Sequence, residues 1–123
     1  MSGFRVRRST ALDLDGDPSP EGVHQDSAVL TAIVLMRRSN VQSDSGGNRV
    51  WSLRQPSGKP EPGDAERPGR LLANVLLEQP LDTLIVLDRK VKHEGLPIQV
   101  ANASAGDAIR DVLTFEIRPV SSS

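Results

Sequence analysis

The sequence predicts an all-β fold, a small antiparallel β-barrel or sandwich with long protruding loops, and three observations lead there. Apolar residues come in short runs separated by long polar stretches rich in Pro, Gly, Ser, Asp and Asn. The segment "VLTFEIRPV" alternates cleanly, with Leu113, Phe115 and Ile117 on one face and Thr114, Glu116 and Arg118 on the other. No stretch demands a helix and no internal repeat is visible, which favours packed sheets over a layered α/β arrangement. At 123 residues the chain predicts one β domain, 1–123, with loops at about 18–27, 39–48 and 55–69.

Taken in order, "FRVRRST" alternates apolar and charged residues through Phe4 and Val6 and predicts a half-buried first strand. "DLDGDPSPEG" follows. Its Asp13, Asp15 and Asp17 suggest a calcium loop, but glycine comes too early and His24 stands where a bidentate Glu is required. A hairpin tip is the better reading, since Asp and Gly both tolerate left-handed backbone. "AVLTAIVLM" predicts a central strand apolar on both sides, and "RVWSLR" a strand whose one face carries Trp51 and Leu53. "LLANVLLE" fits a helix through Leu71, Leu72, Val75 and Leu76 or a strand through Leu71, Ala73, Val75 and Leu77, and strand is preferred. "TLIVLDRKVKHEGLPIQV" predicts a strand, a break near Asp88, and two short strands folded about Glu94-Gly95. Pro97 marks the second of these as an edge strand or an irregular one.

Composition narrows the chemistry. Fifteen Lys plus Arg against sixteen Asp plus Glu leave a net charge of -1, which offers no general pull toward nucleic acid or an anionic membrane. The absence of cysteine removes disulfides, thiolate nucleophiles and thiolate metal sites. No apolar run is long enough to span a bilayer, so the chain reads as soluble, with no membrane partner. Gly58-Lys59 fails as a phosphate loop, because Leu53 stands where the leading glycine belongs and Pro60 where a Ser or Thr belongs. His24 and His93, the only histidines, sit in polar surroundings without a neighbouring ligand set. The serines lie in loops without an obvious base. On this reading the protein has no catalytic residues, no metal site and no cofactor, and is not an enzyme.

The layout then suggests a family. An opening strand with Arg residues leads into "DLDGDP"; "AIVLMRRSN" runs into the loop "SNVQSDSGGNRV"; "VLDRKVKHEG" carries an Asp-Arg pair through a valine strand to a turn glycine; "LPIQV" returns and "DVLTFEIRPV" closes the chain. In this the chain resembles the small head-to-tail connector proteins of long-tailed bacteriophages, the head-closure or stopper type carried by phages of actinobacteria. It departs from that family at Ile98, where an aromatic is usual, and in the insert from Gln55 to Pro68.

The resemblance implies a virion structural protein made in the host bacterial cytoplasm and located at the head-tail junction. It would form a homo-oligomeric, six-fold ring between portal or adaptor and tail. Packaged DNA would pass its lumen without specific binding. Contact or gating elements would then be Ser43, Asp44, Ser45, Gly46, Gly47 and Asn48 in one loop, and Gln55, Lys59, Glu61, Asp64 and Arg67 in the other. Trp51 would anchor the strand between them. A tail terminator, a capsid decoration protein and a small cytosolic ligand-binding β-barrel are the alternatives. Loops this long with so few anchoring side chains call for a partner to order them.

Overall fold

The computed structural model describes residues 22–119 in full and the backbone of Ser2–Ala11. Within them are seven strands: β1 (Ser2–Ala11), β2 (Leu30–Ser39), β3 (Asn48–Ser52), β4 (Leu71–Val75), β5 (Thr83–Val86), β6 (Val91–Gly95) and β7 (Ala108–Ile117). They form two antiparallel sheets, a larger one in the order β1-β7-β2-β5 and a smaller one in the order β4-β3-β6. The all-β expectation therefore holds as two facing sheets, and the barrel alternative does not, because the sheets do not close on one another. Among the described residues no helix is long and apolar enough to cross a membrane. The acidic stretch from Asp13 lies outside the described residues except for its last member, Gly22.

β2 is central, as its two-sided apolar run predicts, with β7 on one edge and β5 on the other. Thr31, Ile33 and Leu35 point inward, and Ile33 and Leu35 pack with Val112 and Leu77 into the main core cluster, which Val75 of the smaller sheet completes. At Met36 the register between β2 and β7 slips by one residue, so that Arg38 rather than Arg37 stands opposite Arg110. A bulge of this kind bends the strand and re-aims the side chains beyond it. A second, smaller cluster of Ile98 and Ala108 with Val41 and Val100 fills the other end.

β7 alternates as predicted, but the inward face is the one that holds Ala108, Arg110, Val112 and Glu116. Phe115 and Ile117 lie on the outer face and are exposed, as is Ile85 of β5. β3 ends at Ser52, leaving Leu53 exposed in a turn rather than beside Trp51. "LLANVLLE" forms β4, the strand alternative.

One expected hairpin is absent. Glu94-Gly95 is no turn tip: β6 pairs with β3, while the chain beyond it crosses to bond Gly47 through Leu96 and to bridge Val41 through Val100.

The loops are held by their own body. Gln55 is buried and donates to Asp64 Oδ2 at 2.8 Å, while Arg70 reaches Gln55 Oε1 at 3.2 Å and Lys92 Nζ bonds the Gln55 carbonyl at 2.7 Å. Asn40 clamps the 102–107 loop, accepting from Asn102 N–H and donating to the Asn102 and Gly106 carbonyls, each at 2.9 Å. The need for a partner to order the described loops, argued from their composition, therefore falls: a few buried amides and carboxylates do the anchoring that a count of apolar residues misses.

Leu35→Ala removes a fully buried side chain from the main cluster, and denaturant unfolding should register a loss of about 2–5 kcal/mol. The Gln55 amide and the Glu61 N–H hold the Asp64 carboxyl below the usual aspartate range. Its contribution is thus present above the unfolded value of about 4 and is lost as pH falls through the lower folded value. Unfolding curves of wild type and Asp64→Asn should differ most at neutral pH and converge in acid.

Candidate metal centre

The site begins with backbone pairing. Residues 23–24 form a short extended segment bonded on both edges: Val23 and Gly58 exchange both bonds at 2.9 Å, and His24 and His93 do the same at 2.9 Å. The histidine at the middle of β6 is thereby set beside one that precedes it by most of the chain. Gly22 makes this approach possible. Its φ is +73°, and a Cβ there would lie 2.5 Å from the Gly58 carbonyl carbon, closer than any side chain tolerates.

The side chains that result are His24, Asp26 and His93, whose ligand atoms all lie within 4.8 Å of one another. His24 Nδ1 is 2.8 Å from the Gly22 carbonyl. A carbonyl only accepts, so Nδ1 carries the hydrogen and Nε2 presents its lone pair. Asp26 Oδ1 is 3.5 Å from His24 Nε2, and Asp26 Oδ2 is 3.0 Å from His93 Nε2. Ligands about 2.1 Å from one ion and at right angles stand about 3.0 Å apart, so these separations suit a common metal. Two imidazoles and one carboxylate gathered on one side leave the remaining coordination positions open, the donor set that suits a non-haem Fe(II) that must also bind other ligands. His24 and Asp26 are partly exposed while His93 is buried, so the set opens toward solvent on one side.

A buried cation lies nearby. On the smaller sheet Asn48 stands opposite Gly95 and Val50 opposite His93, so Asn48 and His93 are diagonal neighbours on the inward face. Asn48 Oδ1 accepts Arg110 Nη2 from the larger sheet at 2.8 Å. Arg110 is 2% exposed, and its Nε has no partner. Burial, and then the charge of neighbouring Arg38, push its pKa down to about 10, still far above neutrality. Arg38 donates through Nη2 to the carbonyls of Gln42 and Ser45, yet its Nη1 is also unpartnered. Two adjoining guanidiniums with unused buried donors form a receptor for an anion, since such donors are costly to leave unmatched.

The residues named from sequence fall elsewhere or serve other ends. Ser43 and Asp44 are exposed, while Ser45, Gly46, Gly47 and Asn48 are buried where the 41–48 loop enters β3. Of these, Asn48 accepts from Arg110, and the Ser43 and Ser45 carbonyls accept from Arg38. Trp51 is fully buried and donates to Glu94 Oε1 at 2.8 Å, with Arg49 over its ring. Its side chain faces away from His93, toward a cleft of about 320 Å³ lined by Arg49, Pro60, Glu61, Pro62 and Gly63. Gln55 and Asp64 brace the loop interior, Arg67 lies 3.5 Å from Asp64, and Lys59 is exposed beside the Gly58 bridge. His24 and His93, read from sequence as having no neighbouring ligand set, lie together with Asp26 in a cluster that could hold a metal ion. The signal that sequence reasoning misses is His24-x-Asp26 taken with His93, because an aspartate in a polar loop looks like ordinary solvated surface until its partner is known.

The sequence matches the family described as 2OG-Fe dioxygenase over residues 2–116. It is 29% identical over 115 residues to the bifunctional enzyme flvA of Aspergillus flavus, a match covering 94% of this chain and 14% of that protein. The fold is similar to the Fe(II)/α-ketoglutarate-dependent dioxygenase TqaL, with a TM-score of 0.74 and 25% identity over 94% of this chain and 40% of that one. It is also similar to a bsmA homologue from Methylobium petroleophilum, with a TM-score of 0.68 and 27% identity over 95% of this chain and 40% of that one. The chain thus spans well under half the length of these relatives. These findings overturn the phage-connector resemblance and all that came with it: the structural rather than enzymatic role, the ring with portal and tail partners, and the virion location. Strand-turn-glycine-strand layouts recur across β proteins and do not single out one family.

Apo protein titrated with Mn(II) should bind one equivalent, and His24→Ala, Asp26→Ala or His93→Ala should each weaken binding at least about 100-fold. Gly22→Ala should weaken it as well, by forcing the 22–24 segment away from Gly58.

Proposed function

The chain belongs to the 2OG-Fe dioxygenase family, and we propose that it holds Fe(II) through His24, Asp26 and His93 and takes 2-oxoglutarate with its distal carboxylate on Arg110. The convergence of two imidazoles and one carboxylate within 4.8 Å is the observation that supports this most directly. In this reading the single β domain, residues 1–123, is the metal-holding unit, a jelly-roll-like sandwich.

Each residue has a definite task. His24 Nε2, Asp26 and His93 Nε2 hold the ion from one side, with His24 fixed in the ligating tautomer by the Gly22 carbonyl. Bound Fe(II) supplies the redox chemistry toward dioxygen. Arg110, braced by Asn48, would meet the charge of the dicarboxylate. Arg38 adds positive potential and a second free donor at the same end. The unmatched guanidinium is a cost to the free fold that a bound carboxylate removes, so binding and stability are coupled at this position.

Thermal unfolding of the full chain with Mn(II) should rise further on adding 2-oxoglutarate, and glutarate should substitute only weakly because it lacks the chelating keto group. Arg110→Met should abolish the 2-oxoglutarate increment and keep the Mn(II) one. No response of wild type to either addition would overturn the reading.

A further inference from the structure

Five buried side-chain polar atoms among the described residues have no hydrogen-bond partner, and two of them face each other: Asp88 Oδ1 and His93 Nδ1, 3.5 Å apart. A buried unpaired donor and acceptor are both costly, so a facing pair calls for an explanation. Asp88 sits in the turn between β5 and β6, and its side chain is fully buried. Its other oxygen is fully used. Oδ2 accepts the Asp26 N–H at 2.6 Å and the Ala28 N–H at 3.1 Å, and the Asp88 carbonyl accepts the Gln25 amide at 2.7 Å. Between those two N–H groups Ser27 has φ 58°, a left-handed conformation that a non-glycine residue adopts only when its surroundings impose it. That turn is what aims Asp26 and Ala28 N–H groups at one oxygen.

We propose that Asp88 is a positioning residue for the metal centre, and this rests on the Fe(II) reading above. Through Oδ2 it holds the 26–28 turn that presents the Asp26 ligand. Through Oδ1 it receives the Nδ1–H of His93, which leaves the Nε2 lone pair for the ion. An imidazole that ligates through one nitrogen carries its hydrogen on the other, and Asp88 Oδ1 is the acceptor that stands there. One carboxylate thereby sets the geometry of two of the three ligands, on segments far apart in sequence.

The decisive variant is Asp88→Asn. The amide keeps one oxygen for the 26–28 turn but offers His93 Nδ1 an N–H2 group, which cannot accept. Co(II) titration of the full apo chain should show affinity falling about 10–100-fold in Asp88→Asn, with the far-UV signature of the fold retained. Nitrogen-15 NMR of histidine-labelled protein supplies the readout that a bracing role alone would not move. In the Zn(II)-loaded protein, where the ion takes Nε2 from Asp26, the His93 Nδ1–H proton should lie far downfield and exchange slowly in wild type, and should move upfield and exchange faster in Asp88→Asn. Equal Co(II) affinity in the two proteins, or a Zn(II)-loaded His93 Nδ1–H proton that the variant leaves unchanged, overturns the proposal. Wild type that binds no Co(II) at all overturns the metal reading and this proposal with it. Should Asp88→Asn fail to fold, a Zn(II)-loaded wild-type His93 Nδ1–H proton that exchanges as fast as that of an exposed imidazole overturns the proposal.

Discussion

The reciprocal backbone bonds between His24 and His93 are the constraint on which the functional part of the molecule rests. A short extended segment is seated between the edge of β6 and the Gly58 loop, and both its edges are satisfied. Because the pairing is antiparallel and direct, the two imidazoles stand side by side with ring centroids 4.4 Å apart. Asp26, two residues on, needs only the turn at Ser27 to bring its carboxylate to both. The backbone under both histidines is thereby paired, which suits the proposed role of holding an ion at fixed geometry.

The inward face of the larger sheet divides its labour along the strands. One end is apolar, where Ile33, Leu35 and Val112 meet Leu77 and Val75. Farther along, the same two strands present Arg38 and Arg110, and the bulge at Met36 is the device that puts both guanidiniums on one face. Burial first, and then the like charge of Arg38, lower the pKa of Arg110, and neither stabilises the fold. Such local sacrifice is ordinary where a site waits for a ligand of opposite charge. Elsewhere buried polar groups are matched, Gln55 with Asp64 and Arg70, and Trp51 and Arg49 with Glu94.

The strands are largely legible from the chain, and the site is not. "AVLTAIVLM" and "VLTFEIRPV" announce β2 and β7 through composition and period, because local backbone preference and alternation are properties of neighbouring residues. Alternation leaves open which face is inward. The apolar set Phe115 and Ile117 points outward, and the inward set includes Arg110, which bonds Asn48, and Glu116, which bonds Arg118. The loops mislead for a related reason: Gln55 and Asp64 look like solvated linker, and only their burial against each other makes them anchors.

From residues alone follow the all-β class, the approximate places of the strands and the exclusion of thiol chemistry, each of which depends on a residue and its near neighbours or on a simple count. The tertiary structure alone decided which strands pair and which faces turn inward, and hence that His24 and Asp26 meet His93 while Asp88 backs them. The reason is physical: a metal site or a buried ion receptor is a matter of angstroms between side chains, and chain separation says nothing about that distance until the sheets have packed over their core.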